Sequence, residues 1–276
     1  MRRLDNIRIV DPRDGSVSAP RSIVIQGDRI AEISPVQGAF DGEIEDHSGC
    51  YAIPGLIDAH VHVCGGRMDP HHLPDLRPGY LAIRAGRVLN DMLHRGFTTV
   101  RDAGGADDGI RQALDERLIQ GPRMFYSGAA ISQTRGHGDF RPDMPAAECS
   151  CSMLLKGIGT VADGVAEVRR AAREQLRAAT DAGVKLGFGT DLFGDLQVHQ
   201  SREFTIRAQV QTPEQILHSA TVTNAELMNI SDDCGTIETG KRADLVVLDA
   251  NPLADIAVLA RPADHIRRVS RGSLIV

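Results

Sequence analysis

The hydrophobic pattern changes twice along this chain, and that change constrains its architecture more than any single motif. The first fifty residues read as short strands rich in β-branched residues: IRIV (7–10), SIVIQ (22–26) and RIAEIS (29–34). Turns are expected at Pro12, Gly15 and Gly27–Asp28. The last forty residues read alike, with GTIETG, then ADLVVLD (243–249), then HIRRVSRGSLIV (265–276), in which Gly272 suits a hairpin turn. Between them, strand and helix alternate. Two ends that resemble each other and not the middle are expected to pair. The reading is a small β-sandwich of residues 1–53 and 233–276, with an α/β domain, residues 54–232, inserted between them.

Within the middle, the first strand is expected over 55–63. A helical segment near 80–95 stops at Gly96, and FTTVRDAG (97–104) is a second strand. A short helix near 108–118 precedes RMFYSG (123–128), a third strand, and the stretch 129–160 is irregular and long enough to be functional. ADGVAEVRRAAREQLRAATDAG (162–183) is a strong helix, with Asp163 at its N-cap and Gly183 at its stop; its charged face is most simply solvated. KLGFGTD (185–191) reads as a fourth strand. Helices follow near 200–209 and from Pro213 to about 229, Pro213 sitting at N1 after Thr212. Repeated β-α units predict a parallel sheet, and closed parallel sheets are usually eight-stranded barrels. Four strands in about 175 residues fall short of the ~200 or more that such a barrel takes. The predicted fold class is therefore α/β, a truncated (β/α)8 TIM-type barrel with a β-sandwich built from both chain ends.

Composition bounds the function. The 276 residues are 42% hydrophobic and 25% charged, an ordinary globular balance. The net charge of −6, with no basic stripe, argues against nucleic-acid binding. No run approaches the ~20 apolar residues of a membrane span. The opening MRRLDNIRIV lacks the apolar core of a signal peptide. Five cysteines, an odd number, point to reduced thiols and a cytoplasmic setting. Cys149 and Cys151 form a C-x-C pair, but no second Cys or His pair partners them at a zinc-site spacing.

The stretch LIDAHVHV (56–63) carries the first chemical signal. Side chains alternate along a strand, so His60 and His62 share a side with Asp58 and Leu56, opposite Ile57, Ala59, Val61 and Val63. Two imidazoles about 7 Å apart can converge on one metal ion; the plain alternative is two hydrogen-bonded polar residues. Asp191 closes a strand at the end where barrel enzymes collect catalytic groups, although an Asp after Gly-Thr also suits a turn or helix cap. Arg101 and Asp102 read as a structural ion pair, and Cys64 as a packed thiol. His71, His72, His94, His199 and His218 have no helpful spacing and read as surface or packing residues.

PGLIDAHVH (54–62), GFTTVRDAGG (96–105), FGTD (188–191) and GTIETGKRADLVVLDANPL (235–253) resemble the amidohydrolase superfamily of metal-dependent hydrolases. SQTRGHGDFRPD (132–143) and GFGTDLFGDLQVHQSREFTIRAQV (187–210) resemble its prolidase-like branch, which cleaves Xaa-Pro or Xaa-Arg dipeptides and N-acyl amino acids. The resemblance implies zinc on His60, His62 and Asp191, with Asp191 also taking a proton from the attacking water. It implies a small-molecule substrate whose carboxylate is contacted by His137, unless His137 is an ordinary loop histidine. The family's bridging lysine and two further histidines, on its fourth, fifth and sixth strands, have no counterpart here. Lys185 opens the strand that ends in Asp191, and Lys156 lies in the irregular stretch. The helix 162–183 begins like the family's third and ends like its seventh, so strands four to seven are expected to be absent and at most one ion to be held. Strand edges exposed by that loss invite pairing with another chain, hence an expected homo-oligomer. The alternative is a catalytically impaired remnant that binds or oligomerises; a deaminase of the same superfamily is a weaker third reading.

Overall fold

The computed structural model describes residues 1–36, 38–67, 76–127, scattered positions between 170 and 183, and 185–276. Five strands come first: β1 (Arg2–Ile9), β2 (Arg21–Gln26), β3 (Arg29–Pro35), β4 (Glu43–Asp46) and β5 (Tyr51–Pro54). Alternation follows, with β6 (Leu56–Val61), α1 (Pro78–His94), β7 (Phe97–Asp102), α2 (Asp108–Asp115) and β8 (Arg123–Tyr126). After a 3-10 turn, Gly194–His199, come α3 (Arg202–Arg207), α4 (Pro213–His218), a π turn at Ser219–Thr223, and α5 (Asn224–Leu227). The chain closes with β9 (Leu245–Leu248), α6 (Ala257–Ala260), α7 (Pro262–His265), β10 (Ile266–Arg271) and β11 (Leu274–Ile275).

Both ends of the chain meet in one eight-stranded sheet, ordered β11-β10-β9-β5-β1-β2-β3, with β4 also on β1. The join is the antiparallel ladder of β5 on β9, from Tyr51 opposite Leu248 to Pro54 opposite Leu245. Strand β1 serves two sets of partners. Arg2–Leu4 pair with β2 and β4, Arg8 and Ile9 with β5, and the change falls around Asn6, whose φ is +60°. The expected turns hold: Gly27 and Gly272 adopt positive φ between β2 and β3 and between β10 and β11. EIED and YAIP, which form β4 and β5, were not anticipated; they are four residues each.

A second sheet holds β6, β7 and β8 in parallel, with α1 and α2 as crossovers. Helix α1 is amphipathic, burying Ala85, Val88, Leu89, Met92 and Leu93. It stops at Gly96, whose φ is +89°; an added Cβ there would lie 3.1 Å from Val246 and 3.3 Å from Leu56. Helix α4 starts as read, with Thr212 capping the amide of Gln215 and Gln215 returning to the Thr212 amide.

Strand β9, LVVL, is buried on both faces. Val246 and Leu248 enter the large core with Leu56, Leu89, Phe97 and Phe188. Leu245 and Val247 enter a second core with Leu4, Ile23, Ile30 and Ala52. One strand thus welds the sheet of the two ends to the β-α units, which accounts for its unbroken apolar run.

Segment 185–191, expected as a fourth strand, runs extended beside β6 without a regular ladder. Two backbone bonds join them, Ala59 N–H to Phe188 O at 2.9 Å and Asp191 N–H to His60 O at 2.9 Å. Regular parallel pairing would offer Ala59 O to the Thr190 amide. Arg101 Nε takes that carbonyl instead, at 2.7 Å, and the Thr190 amide donates to Asp58 Oδ1 at 3.2 Å. Asn224 completes the substitution: its Nδ2 donates to Ile57 O and Phe188 O, both 2.7 Å, while its Oδ1 accepts from the Phe188 amide at 3.0 Å. Side chains do here what a ladder does elsewhere.

Candidate metal centre

Three groups converge where β6 ends beside segment 185–191. His60 Nε2 lies 3.4 Å and His62 Nε2 3.1 Å from Asp191 Oδ1. The three donor atoms fall within 4.8 Å of one another. Gly189 permits the approach, since a Cβ there would come 2.9 Å from His60 Cβ. Asp191 itself adopts φ +50°, which turns its carboxylate across the strand end toward both rings.

His62 is held at its ring and at its backbone. Its Nδ1 lies 3.0 Å from Gly104 O, Phe193 stacks on it at 4.5 Å, and Gln197 Nε2 donates to its carbonyl at 2.6 Å. A carbonyl only accepts, so the proton of a neutral His62 sits on Nδ1 and Nε2 presents a lone pair. That lone pair faces a carboxylate oxygen: two acceptors at 3.1 Å. A metal ion between them, or a proton on Nε2, satisfies this arrangement, and two imidazoles with one carboxylate is a donor set that zinc accepts, with room for water as fourth ligand. Among the described residues no other group of His, Cys, Asp or Glu clusters this way, so the fit is to one ion.

Beneath the triad, Asp58 is fully buried. It accepts from Thr190 Oγ1 at 2.7 Å, Gln200 Nε2 at 2.9 Å and the His60 amide at 3.2 Å. Burial pushes its carboxyl up from the usual range, opposed by these donors, which favour the charged form. Asp102 is held similarly by the amides of Val63, Gly104 and Ala106, with burial again raising its pKa. By ordering the 102–106 turn, Asp102 presents Gly104 O to His62. It does not pair with Arg101, as the sequence suggested. Neighbours on a strand face opposite sides, and Arg101 spends its Nε on Ala59 O.

Arg84 donates to Gln197 Oε1 at 2.7 Å and Arg95 to Gln200 Oε1 at 3.0 Å, so α1 and its C-cap residue brace both glutamines that reach the site. Lys185 is exposed on Glu226, 2.9 Å away and apart from the triad. Cys64 is a packed thiol, pushed up to about 12 by burial. His94 and His218 bond Asn90 O and Thr223 Oγ1, and His199 is exposed. His137, His71, His72, Cys149, Cys151 and Lys156 lie outside the described residues. Gly104, Phe193, Gln197, Gln200 and Asn224 were missed from sequence.

The chain belongs to the amidohydrolase family: that family's model matches residues 51–180 and again 162–275. Among solved structures, a prolidase complexed with N-methylphosphonate-L-proline superposes with a TM-score of 0.86 at 29% identity, covering 100% of this chain and 99% of that one. A Xaa-Pro dipeptidase with methionine in its active site gives 0.81 at 19% identity, covering 100% and 99%, a likeness of fold. Ochratoxinase of Aspergillus niger is 36% identical over 140 residues, 45% of this chain. The chain spans 28% of the length of that relative. Its mixed α/β fold matches amidohydrolase structures, and no helix among the described residues is long and apolar enough to cross a membrane.

Proposed function

We propose that this chain is a metal-dependent hydrolase of amide C–N bonds in dipeptides or N-acyl amino acids, holding one divalent ion, zinc by its donor set. One observation carries the reading: His62 Nε2, oriented by Gly104 O, and Asp191 Oδ1 face each other at 3.1 Å with His60 Nε2 alongside. A zinc ion bound there would acidify water and polarise a carbonyl. The chain's own part is orientation and proton handling. His60 and His62 would supply two imidazole nitrogens from the end of β6. Asp191, the exposed member, would take a proton from water and pass it to the leaving nitrogen. His137 is proposed to meet the substrate carboxylate.

In this reading β6, β7, β8 and segment 185–191 are the first, second, third and last strands of a (β/α)8 barrel that lacks the fourth to seventh. The two overlapping matches to the family support it, since both contain residues 162–180. We take residues 54–232 as this incomplete barrel, and 1–53 with 233–276 as a β-sandwich. The site is placed in a cytoplasmic homo-oligomer, the strand edges left by the missing units being paired between chains.

The test is metal content with hydrolysis of Xaa-Pro, Xaa-Arg and N-acetyl amino acid substrates. About one zinc per chain, with hydrolysis abolished by chelation and restored by zinc, is the expected result. A second reading, an impaired remnant, draws on the finding that only three ligating residues cluster among those described. Protein that binds no zinc and shows no hydrolysis would move the assignment to that reading.

A further inference from the structure

Away from the triad, a cavity of about 420 Å³ opens between α1 and the 3-10 turn 194–199. Arg84 and Arg87 line it from α1, three residues apart, and Arg95 from the C-cap of that helix. Asp91 and Asp195 are the carboxylates on its wall, and Tyr80, Val88 and Val198 supply apolar surface. Asp91 favours the charged form of Arg95 through space, while the hydrogen bonds of Arg84 and Arg95 go elsewhere. Arg84 spends its bonds on Gln197 Oε1 and Gly194 O, and Arg95 on Gln200 Oε1 and Gln197 O, all neutral acceptors. Arg87 is exposed and makes no hydrogen bond or ion pair with a described residue. Three guanidiniums against two carboxylates leave a surplus positive charge in a concave, partly apolar space of ligand size.

We propose that this cavity binds a small carboxylate or phosphate anion, Arg87 closing on it while Arg84 and Arg95 offer the donors their glutamines leave free. A guanidinium presents five N–H groups in a planar fork suited to either anion, and such charge-assisted bonds are about twice as strong as neutral ones. The cavity lies outside the metal ligands, so the inference stands whether or not the chain hydrolyses amides.

The test is calorimetric titration of the full chain, in low-salt buffer with chelator present, using succinate and inorganic phosphate as separate probes. Saturable binding is expected for at least one. Arg87→Gln, at an exposed side chain, should fold normally and weaken binding about tenfold, the loss of one charge-assisted pair. Tighter succinate binding would assign carboxylic acids as the ligand class, and tighter phosphate binding phosphorylated ones. The proposal is overturned if neither probe saturates with chelator present, or if Arg87→Gln binds as tightly as the unaltered chain.

Discussion

The two sheets of this molecule are held together by different means. The sheet made from both chain ends closes through backbone ladders, four residue pairs joining β5 to β9 alone. The sheet that carries the triad closes on segment 185–191 with two backbone bonds, and Asn224, Asp58 and Arg101 satisfy the remaining groups. A ladder tolerates side-chain change because its bonds belong to the main chain. A junction built from side chains places the geometry of the site at the mercy of single substitutions, and it also allows Asp191 to leave strand conformation and face the histidines.

The largest effect should come from the triad itself. His62→Ala should abolish zinc binding and cut hydrolysis by more than the about 100-fold that loss of a ligand-supporting contact costs, read by metal analysis and kcat/KM. Next, Asn224→Ala strands two buried backbone groups, Ile57 O and the Phe188 amide, and should destabilise by about 3 kcal/mol. Ser22→Ala, which removes only a hydroxyl bond to Asp5 from a strand whose ladder persists, should cost about 1 kcal/mol in the same denaturant titration. Equal costs would break the contrast.

Cys234 tests the seam between the sheets, where it packs with Ile57 and Ala225 and touches Asp244. Burial and the nearby Asp244 raise its thiol from 9.0 to about 11. The folded state therefore keeps a proton that the unfolded chain releases above pH 9. Stability is full below that point and should fall, by an amount of order 2 kcal/mol, as pH climbs through 11. Cys234→Ala should flatten that part of the pH profile measured by chemical denaturation. An effect as small as that of Ser22→Ala belongs to Thr212→Ala, which removes the cap of α4 and should cost about 1 kcal/mol while leaving zinc affinity unchanged.

The convergence of His60, His62 and Asp191 was legible in sequence because strand alternation and two short motifs suffice to bring them to one place. The helix stops and caps at Gly96, Thr212 and Pro213 were legible for the same reason: each is a local rule. The supports of the site were not. Gln197, Gln200 and Asn224 act on residues more than a hundred positions away, and no periodicity marks an amide that will stand in for a strand. Segment 185–191 was misjudged because its apolar alternation is that of a strand, while its partners on β6 were already taken by side chains. Arg101 and Asp102 were misjudged by reading charge before direction.

Asp191 carries a second lesson for anyone who edits this site. At φ +50°, aspartate and asparagine sit more comfortably than most residues. An alanine scan would therefore impose backbone discomfort of about 1 kcal/mol in addition to deleting the carboxylate. Asparagine removes the charge at little backbone cost, and the difference between glycine and alanine, both without the carboxylate, isolates the conformational contribution, so together these substitutions separate what the position does as chemistry from what it does as a bend in the chain.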